Sequence, residues 1–344
     1  MKIIILTPGF AADESDTSCI PALQDFVLGW KEILPEVEIK IIAFQYPPSK
    51  KYYRWNGIEV YSAGGKNTKG IFRLLTWRKI FRQLSKWHTP ETILISYFLT
   101  EATYVAQKFA SKNFFKHIAI AAGQDVRSSN HYLKRLRWDK MKVVVFNKKM
   151  DDELFISVNI NADAIIPMGI KSQPKQNSEP RNIDLLVVGS LISLKQTDVA
   201  IKIIAALQKD FPLIKTQIIG EGSERKKLQQ QESDFQLEQN VSFTGALKRD
   251  VVFEKMQQAK ILLHTSNYEG QSTVITEALA NGMVVVCFDV GRIDDKEKVK
   301  ACADKNEMII VLKNLLHENK FDFTALVPFT MQQTIEEYYK LINE

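Results

Sequence analysis

Residues 259–292 read AKILLHTSNYEGQSTVITEALANGMVVVCFDVGR. Ile261 to His264 carry a buried-strand pattern, Glu269 and Gly270 fall in a polar turn, and a helix is predicted from about Thr273 to Asn281, where Gly282 stops it. Val284 to Phe288 form a second, β-branched strand. Strand, loop, helix and strand in that order make one βαβ unit. An open parallel sheet holds its ligands outside the carboxyl ends of its strands, which here is the loop over 266–272. Gly270, Gln271, Ser272 and Thr273 would offer backbone N–H groups at a helix N-terminus, an anion site. Glu269 and Glu277, eight residues apart, set two carboxylates beside it. Such a site suits a ligand with both phosphates and sugar hydroxyls: the N–H groups cradle a diphosphate, and the acids accept from ribose or hexose OH groups. Taken singly, either glutamate reads better as part of a solvated turn or as a complement to the helix dipole.

Glu269-x7-Glu277, followed by Ala278-Leu279-Ala280-x-Gly282 and an apolar strand, resembles the donor-site signature of family 4 glycosyltransferases. Upstream, Gly189-Ser190-Leu191 and Lys195 resemble the turn in which that family holds the donor diphosphate with an Arg and a Lys. Lys195 is in place; Ser190 stands where Arg is usual, and Gln196 replaces the following Gly. Arg292, after Gly291, is the cation expected to substitute. Gly220-Glu221-Gly222 matches the family's loop beside the nucleobase. The resemblance implies that Glu277 holds the ribose, Glu269 the donor hexose, and Lys195 with the N–H groups of residues 270–273 the diphosphate. It is strong over 183–292 and weak over 1–170. The family's His near the transferred sugar falls at Ser96-Tyr97, where neither residue is His.

The chain has 344 residues, 45% apolar and 25% charged, enough for two domains. The apolar start, MKIIIL, ends at Pro8-Gly9 and reads as a first strand rather than a secretory signal. No run approaches the roughly 18 apolar residues of a spanning helix. Cys19, Cys287 and Cys302 are far apart without metal spacing, which points to free thiols in a reducing compartment, and no metal site is expected. Residues 1–172 hold 25 Lys and Arg against 16 Asp and Glu, a net of +9; the remainder holds 21 against 24, a net of −3. The basic half favours an anionic partner.

That half alternates strands and helices. Strands are expected at Glu38 to Ala43 and Ile58 to Tyr61, separated by an aromatic-basic segment over 46–55. From Lys66 to His88 there are seven basic side chains and no acid: Lys66, Lys69, Arg73, Arg78, Lys79, Arg82 and Lys86. Ile71, Leu74, Leu75, Ile80, Phe81 and Leu84 recur there at helical spacing, beside Trp77 and Trp87. A basic amphipathic helix with tryptophans suits an anionic membrane surface; packing of its apolar stripe on the sheet is an equal reading. Ala122-Gly123-Gln124-Asp125 resembles the family's Gly-x-Asp turn on the acceptor side. It makes Asp125 a candidate contact to the acceptor hydroxyl, with turn formation as the plain alternative. In the last helix, Ile335, Tyr338, Tyr339 and Ile342 share a face.

The expected architecture is α/β: two Rossmann-like domains facing a cleft, the glycosyltransferase B fold. Residues 1–170 form the acceptor-side domain, 171–182 the linker, 183–328 the nucleotide-sugar domain, and 329–344 a helix returning to the first domain. The expected activity is retaining, metal-independent hexosyl transfer from a UDP-, GDP- or ADP-sugar to a glycan or lipid-linked acceptor of envelope polysaccharide synthesis. No cofactor beyond the donor is expected. The expected location is cytoplasmic, with peripheral contact at the inner face of the cytoplasmic membrane. Catalytic roles fall to Glu269, Lys195 and Asp125. The rival from another class is a binding or scaffold protein that keeps the fold without turnover, for which Ser190 and the missing His speak. A nicotinamide oxidoreductase or epimerase lacks its Gly-x-Gly-x-x-Gly after the first strand. Nucleic-acid binding rests on charge alone.

Overall fold

A computed structural model describes residues 1–49, 51–170, 180–291 and 297–344. The chain divides into two compact units, Met1–Lys171 with Phe329–Glu344, and Ser172–Pro328. Residues 171–179 of the expected linker lie outside the described residues.

The first unit runs β1 (Lys2–Gly9), α1 (Pro21–Ile33), β2 (Glu38–Tyr46), β3 (Lys51–Trp55), β4 (Ile58–Ser62), α2 (Gly70–Trp87), β5 (Thr92–Tyr97), α3 (Glu101–Asn113), β6 (His117–Ile120), β7 (Lys142–Val145), α4 (Lys148–Val158) and β8 (Ala164–Ile165). Its sheet has the order β3-β4-β2-β1-β5-β6-β7-β8. Every neighbouring pair is parallel except β3 with β4. Residues along β1 point alternately into two cores, Ile3 and Ile5 into one and Ile4 and Leu6 into the other. A sheet covered on both faces needs such an unbroken apolar run.

Two features depart from the sequence reading. The aromatic-basic segment is no spacer: Lys51 to Trp55 pair antiparallel with β4 as an edge strand. Asn56 at φ 45° and Gly57 at φ 80° make the two-residue turn, and the Asn-Gly pair tolerates this left-handed backbone. In α2 the expected single stripe is split. Ile80 and Leu84 enter the core, whereas Ile71, Leu74 and Leu75 point to solvent from the opposite side of the helix.

The second unit runs β9 (Ile183–Val188), α5 (Thr197–Gln208), β10 (Thr216–Ile219), α6 (Arg225–Asp234), β11 (Val241–Gly245), α7 (Arg249–Gln258), β12 (Ala259–His264), α8 (Thr273–Ala280), β13 (Val284–Phe288), β14 (Val299–Cys302) and α9 (Lys305–Glu318). Its all-parallel sheet has the order β11-β10-β9-β12-β13-β14, the doubly wound pattern 3-2-1-4-5-6.

The last helix, α10 (Met331–Asn343), belongs to the first unit. Thr330 caps it in a capping box with Gln333. Its Tyr338 ring meets Phe26 of α1 at 4.9 Å, and Met331 packs so closely on Gly29 that a Cβ there would lie 2.4 Å from Met331 Cγ. Ile335, Tyr338 and Ile342 are buried as the periodicity implies; Leu341 takes the place expected of Tyr339, which is exposed. No helix among the described residues is long and apolar enough to cross a membrane.

Candidate functional site

In the second sheet the chain leaves β9 toward β10 on one side, while β12 and its successors lie on the other. This reversal opens a crevice at the carboxyl ends of β9 and β12. Three loops reach it: residues 189–196 after β9, 220–224 after β10 and 265–272 after β12. Thr265 Oγ1 donates to the carbonyls of Lys195 (3.1 Å) and Gln196 (3.0 Å), and the Asn267 N–H donates to Leu194 O at 2.9 Å. The Leu191 N–H donates to Glu221 O at 2.8 Å, and the Glu224 N–H to Leu191 O at 2.9 Å. The first and second loops touch at Gly220, φ +147°, where a Cβ would sit 1.9 Å from Gly189 O; a side chain there is excluded.

Charge is then gathered on this frame. Lys195, in a 3-10 turn over Ser193–Lys195, places Nζ 2.5 Å from Glu269 Oε1. His264, at the end of β12, places Nε2 3.2 Å from the same oxygen and 3.4 Å from Ser272 Oγ at the start of α8. Glu269 is 13% exposed and His264 4%. Burial alone would raise the Glu269 carboxyl; the His264 hydrogen bond and the Lys195 charge reverse that and hold it at about 2. The carboxylate is therefore ionised at neutral pH and fixed by two donors. Gly291 (φ +55°) lies against it, where a Cβ would come within 2.4 Å of Glu269 Cβ and 3.3 Å of Ser272 N. One helical face away, Glu277 Oε1 accepts from Arg249 Nη2 at 2.5 Å, and both side chains are largely covered. At the outer edge Glu221 pairs with Arg225, whose guanidinium also sits over the Phe243 ring.

The crevice thus brings together Gly189, Lys195, Gly220, Glu221, Glu269 and the N-terminal turn of α8 from Ser272 and Thr273, with Glu277 one turn further along that helix. Ser190 is exposed and Gly222 lies at the loop's outer end, where a Cβ would meet Leu191 O at 2.2 Å. Gly270 is buried and Gln271 half-buried in the same loop. Arg292 lies outside the described residues.

Asp125 belongs to the first unit, in a 3-10 turn over Gln124–Val126. Its Oδ2 accepts from the Leu99 N–H at 2.7 Å and its Oδ1 from those of Gly123 (2.7 Å) and Ala122 (3.1 Å). Burial pushes this carboxyl up, against the pull of those amides. The geometry makes Asp125 a clamp between the loops after β5 and β6. Ser96, near the expected place of the missing His, is buried and bonds His117 Nε2 and Thr103 Oγ1, each at 2.9 Å. Burial holds His117 neutral, down to about 3.

Sequence reasoning left out the partners. His264 reads as an ordinary strand residue and Arg249 as a helix start; each reaches its glutamate only once the sheet and α7 are assembled. No local spacing signals either pair.

Among known proteins, the phosphatidylinositol N-acetylglucosaminyltransferase gpi3 subunit of Schizosaccharomyces pombe is 25% identical over 138 residues, 40% of this chain and 30% of that protein. The poly(glycerol-phosphate) alpha-glucosyltransferase of Bacillus subtilis is 31% identical over 104 residues, 30% of this chain and 15% of that one. The chain therefore spans less than a third of the length of either relative. The crystal structure of Anabaena HepE with UDP and glucose superposes with a TM-score of 0.73 at 14% identity, covering 100% of both chains. With it, the pair of doubly wound units is the glycosyltransferase B fold. Residues 170–318, which carry every group of the crevice, match the family model described as glycosyl transferases group 1.

Proposed function

We propose that this chain is a glycosyltransferase that moves a hexose, with retention and without a metal, from a nucleotide-diphosphate sugar to a glycan or lipid-linked acceptor of envelope or surface polysaccharide synthesis. The observation that carries the reading is the pairing of both glutamates with cations at the β9/β12 crevice: Glu269 with Lys195 and His264, Glu277 with Arg249. Carboxylates oriented by cations are suited to accept hydrogen bonds from sugar hydroxyls. When the C1–O bond breaks, the diphosphate leaves with the electron pair. Lys195 and the amide end of α8, at residues 270–273, then hold that charge. Glu269 takes the hexose and Glu277 the ribose, with Glu221 toward the base. Asp125 serves the acceptor side as a positioning residue, through the loops it clamps. A UDP-sugar is the first donor to try, because HepE was crystallised with UDP and glucose. The relatives named for phosphatidylinositol and poly(glycerol-phosphate) support a phosphate-bearing acceptor. The proposed location is cytoplasmic, peripheral at a membrane.

The test is thermal stabilisation and calorimetric binding with UDP-, GDP- and ADP-sugars, comparing wild type with Glu277→Ala. One nucleotide sugar should bind preferentially. Losing hydrogen bonds to a charged group should weaken it by about 1.5–3 kcal/mol, roughly 10- to 150-fold. Binding without any transfer would favour the second reading, a scaffold that has lost turnover; the exposed Ser190, which brings no cation to the diphosphate, is its support. Absence of binding to all three would overturn the transferase reading and leave the scaffold reading in its place.

A further inference from the structure

The solvent face of α2 changes character along its axis. In its first two turns Ile71, Phe72, Leu74 and Leu75 are 68, 65, 56 and 48% exposed. In the next turns Arg78, Lys79, Arg82 and Lys86 take over that face, and all four line a cavity of about 500 Å³ between α2 and the hairpin β3–β4. Its floor is aromatic: Tyr52 and Tyr61 lie 4.8 Å apart, and Tyr52 donates its hydroxyl to Gln83 Oε1 at 2.5 Å. Among the described residues, no acidic side chain lines it.

Four large apolar side chains standing in water on one helix end are not explained by packing within the unit. The adjoining cations, with no carboxylate among the described residues of the lining, favour an anion in the cavity. A soluble anionic ligand would account for the cations and leave the apolar turns unused. A bilayer uses both: apolar side chains enter the acyl boundary, cations meet phosphates, and a tyrosine ring sits at the headgroup level. We propose that α2 docks this chain on an anionic phospholipid bilayer, with Ile71, Phe72, Leu74 and Leu75 inserted and a phosphodiester headgroup seated in the cavity between Arg78, Lys79, Arg82, Lys86 and Tyr52. This deepens the acceptor-side reading above and rests on it for purpose, but docking needs neither donor nor turnover.

Sedimentation of the full chain with phosphatidylglycerol-containing vesicles and with pure phosphatidylcholine vesicles, at low salt, tests it. Arg78→Glu/Arg82→Glu and Phe72→Ser/Leu75→Ser are compared with wild type, their folding checked by circular dichroism and their donor binding by calorimetry. Wild type should bind the anionic vesicles and not the neutral ones. Each double variant should lose roughly tenfold or more in partitioning while donor binding stays unchanged. Unchanged donor binding in a vesicle-deficient variant separates this result from the fate of the transferase reading. Indifference of wild type to anionic vesicles would overturn the proposal. So would binding that survives Phe72→Ser/Leu75→Ser and is competed equally by soluble polyphosphate, which would make the cavity a site for a dissolved polyanion.

Discussion

Glu269 takes two donors on one oxygen, and its stability contribution has a sign that can be worked out. Its carboxyl sits at about 2 in the folded chain against an ordinary value near 4.5. A depressed carboxyl stabilises the fold above the unfolded value and loses that contribution as pH falls from about 4.5 to 2, a difference of roughly 3 kcal/mol. Glu269→Gln should lower the urea midpoint above that window and flatten the midpoint-versus-pH curve within it. Under the proposed transfer, Lys195 acts on the charge that develops as the diphosphate departs. Lys195→Ala should therefore lower kcat/KM by roughly 10²–10³-fold, mostly through kcat, as the loss of an oxyanion donor does. Next to it Gln196 adopts φ 47° with both Thr265 bonds on backbone carbonyls. A left-handed non-glycine residue costs about 1–2 kcal/mol, partly offset by the entropy a glycine would lose. Gln196→Gly should raise the urea midpoint by an amount worth up to about 1 kcal/mol. A lowered midpoint would show that the Gln196 side chain contributes more than its backbone strain costs.

At the scale of elements, legibility follows how local the determining physics is. The strand–loop–helix–strand over 259–288 is readable because burial, a polar turn and the stop at Gly282 are all near neighbours in sequence. Glu269 and Glu277 draw attention in the sequence for the same reason; Arg249 and His264, which pair with them, arrive through tertiary packing. The edge strand β3 was legible in principle, since Asn56-Gly57 is a strong hairpin signal, yet its aromatic and basic residues mask the alternation. The facing of α2 was not legible. Its apolar residues satisfy a helical period, but those that pack against the sheet and those that face water share no stripe. The hairpin also yields a test. Gly57 has φ +80°, and a Cβ there meets only Lys31 Nζ at 3.4 Å, so space is available and conformation is the whole cost. Gly57→Ala should lower stability by about 1–2 kcal/mol, read from the urea midpoint by tryptophan fluorescence.

Across the whole molecule the titrating groups and the optical reporters are unevenly placed. All five tryptophans, Trp30, Trp55, Trp77, Trp87 and Trp138, lie in the first unit, so tryptophan fluorescence follows that unit and is silent about residues 172–328. The same unit contains His117, buried between Ser96 and the core, with its imidazole depressed from 6.5 to about 3. A histidine kept neutral by burial contributes fully above 6.5. Below that the unfolded chain takes up the proton that the folded chain refuses, so stability falls as pH drops from 6.5 toward 3, at about 1.4 kcal/mol per pH unit. Glu269, in the second unit, adds its loss only below about 4.5. Urea unfolding followed by tryptophan fluorescence should therefore weaken already between pH 6.5 and 5, and His117→Gln should remove that slope whatever it does to the midpoint at pH 7. Glu269→Gln should leave this fluorescence slope intact; in unfolding followed by far-ultraviolet circular dichroism it should remove the slope below pH 4.5. A His117→Gln slope equal to that of wild type would mean that the imidazole takes up its proton in the folded chain, and that the Ser96–His117–Thr103 group opens to water.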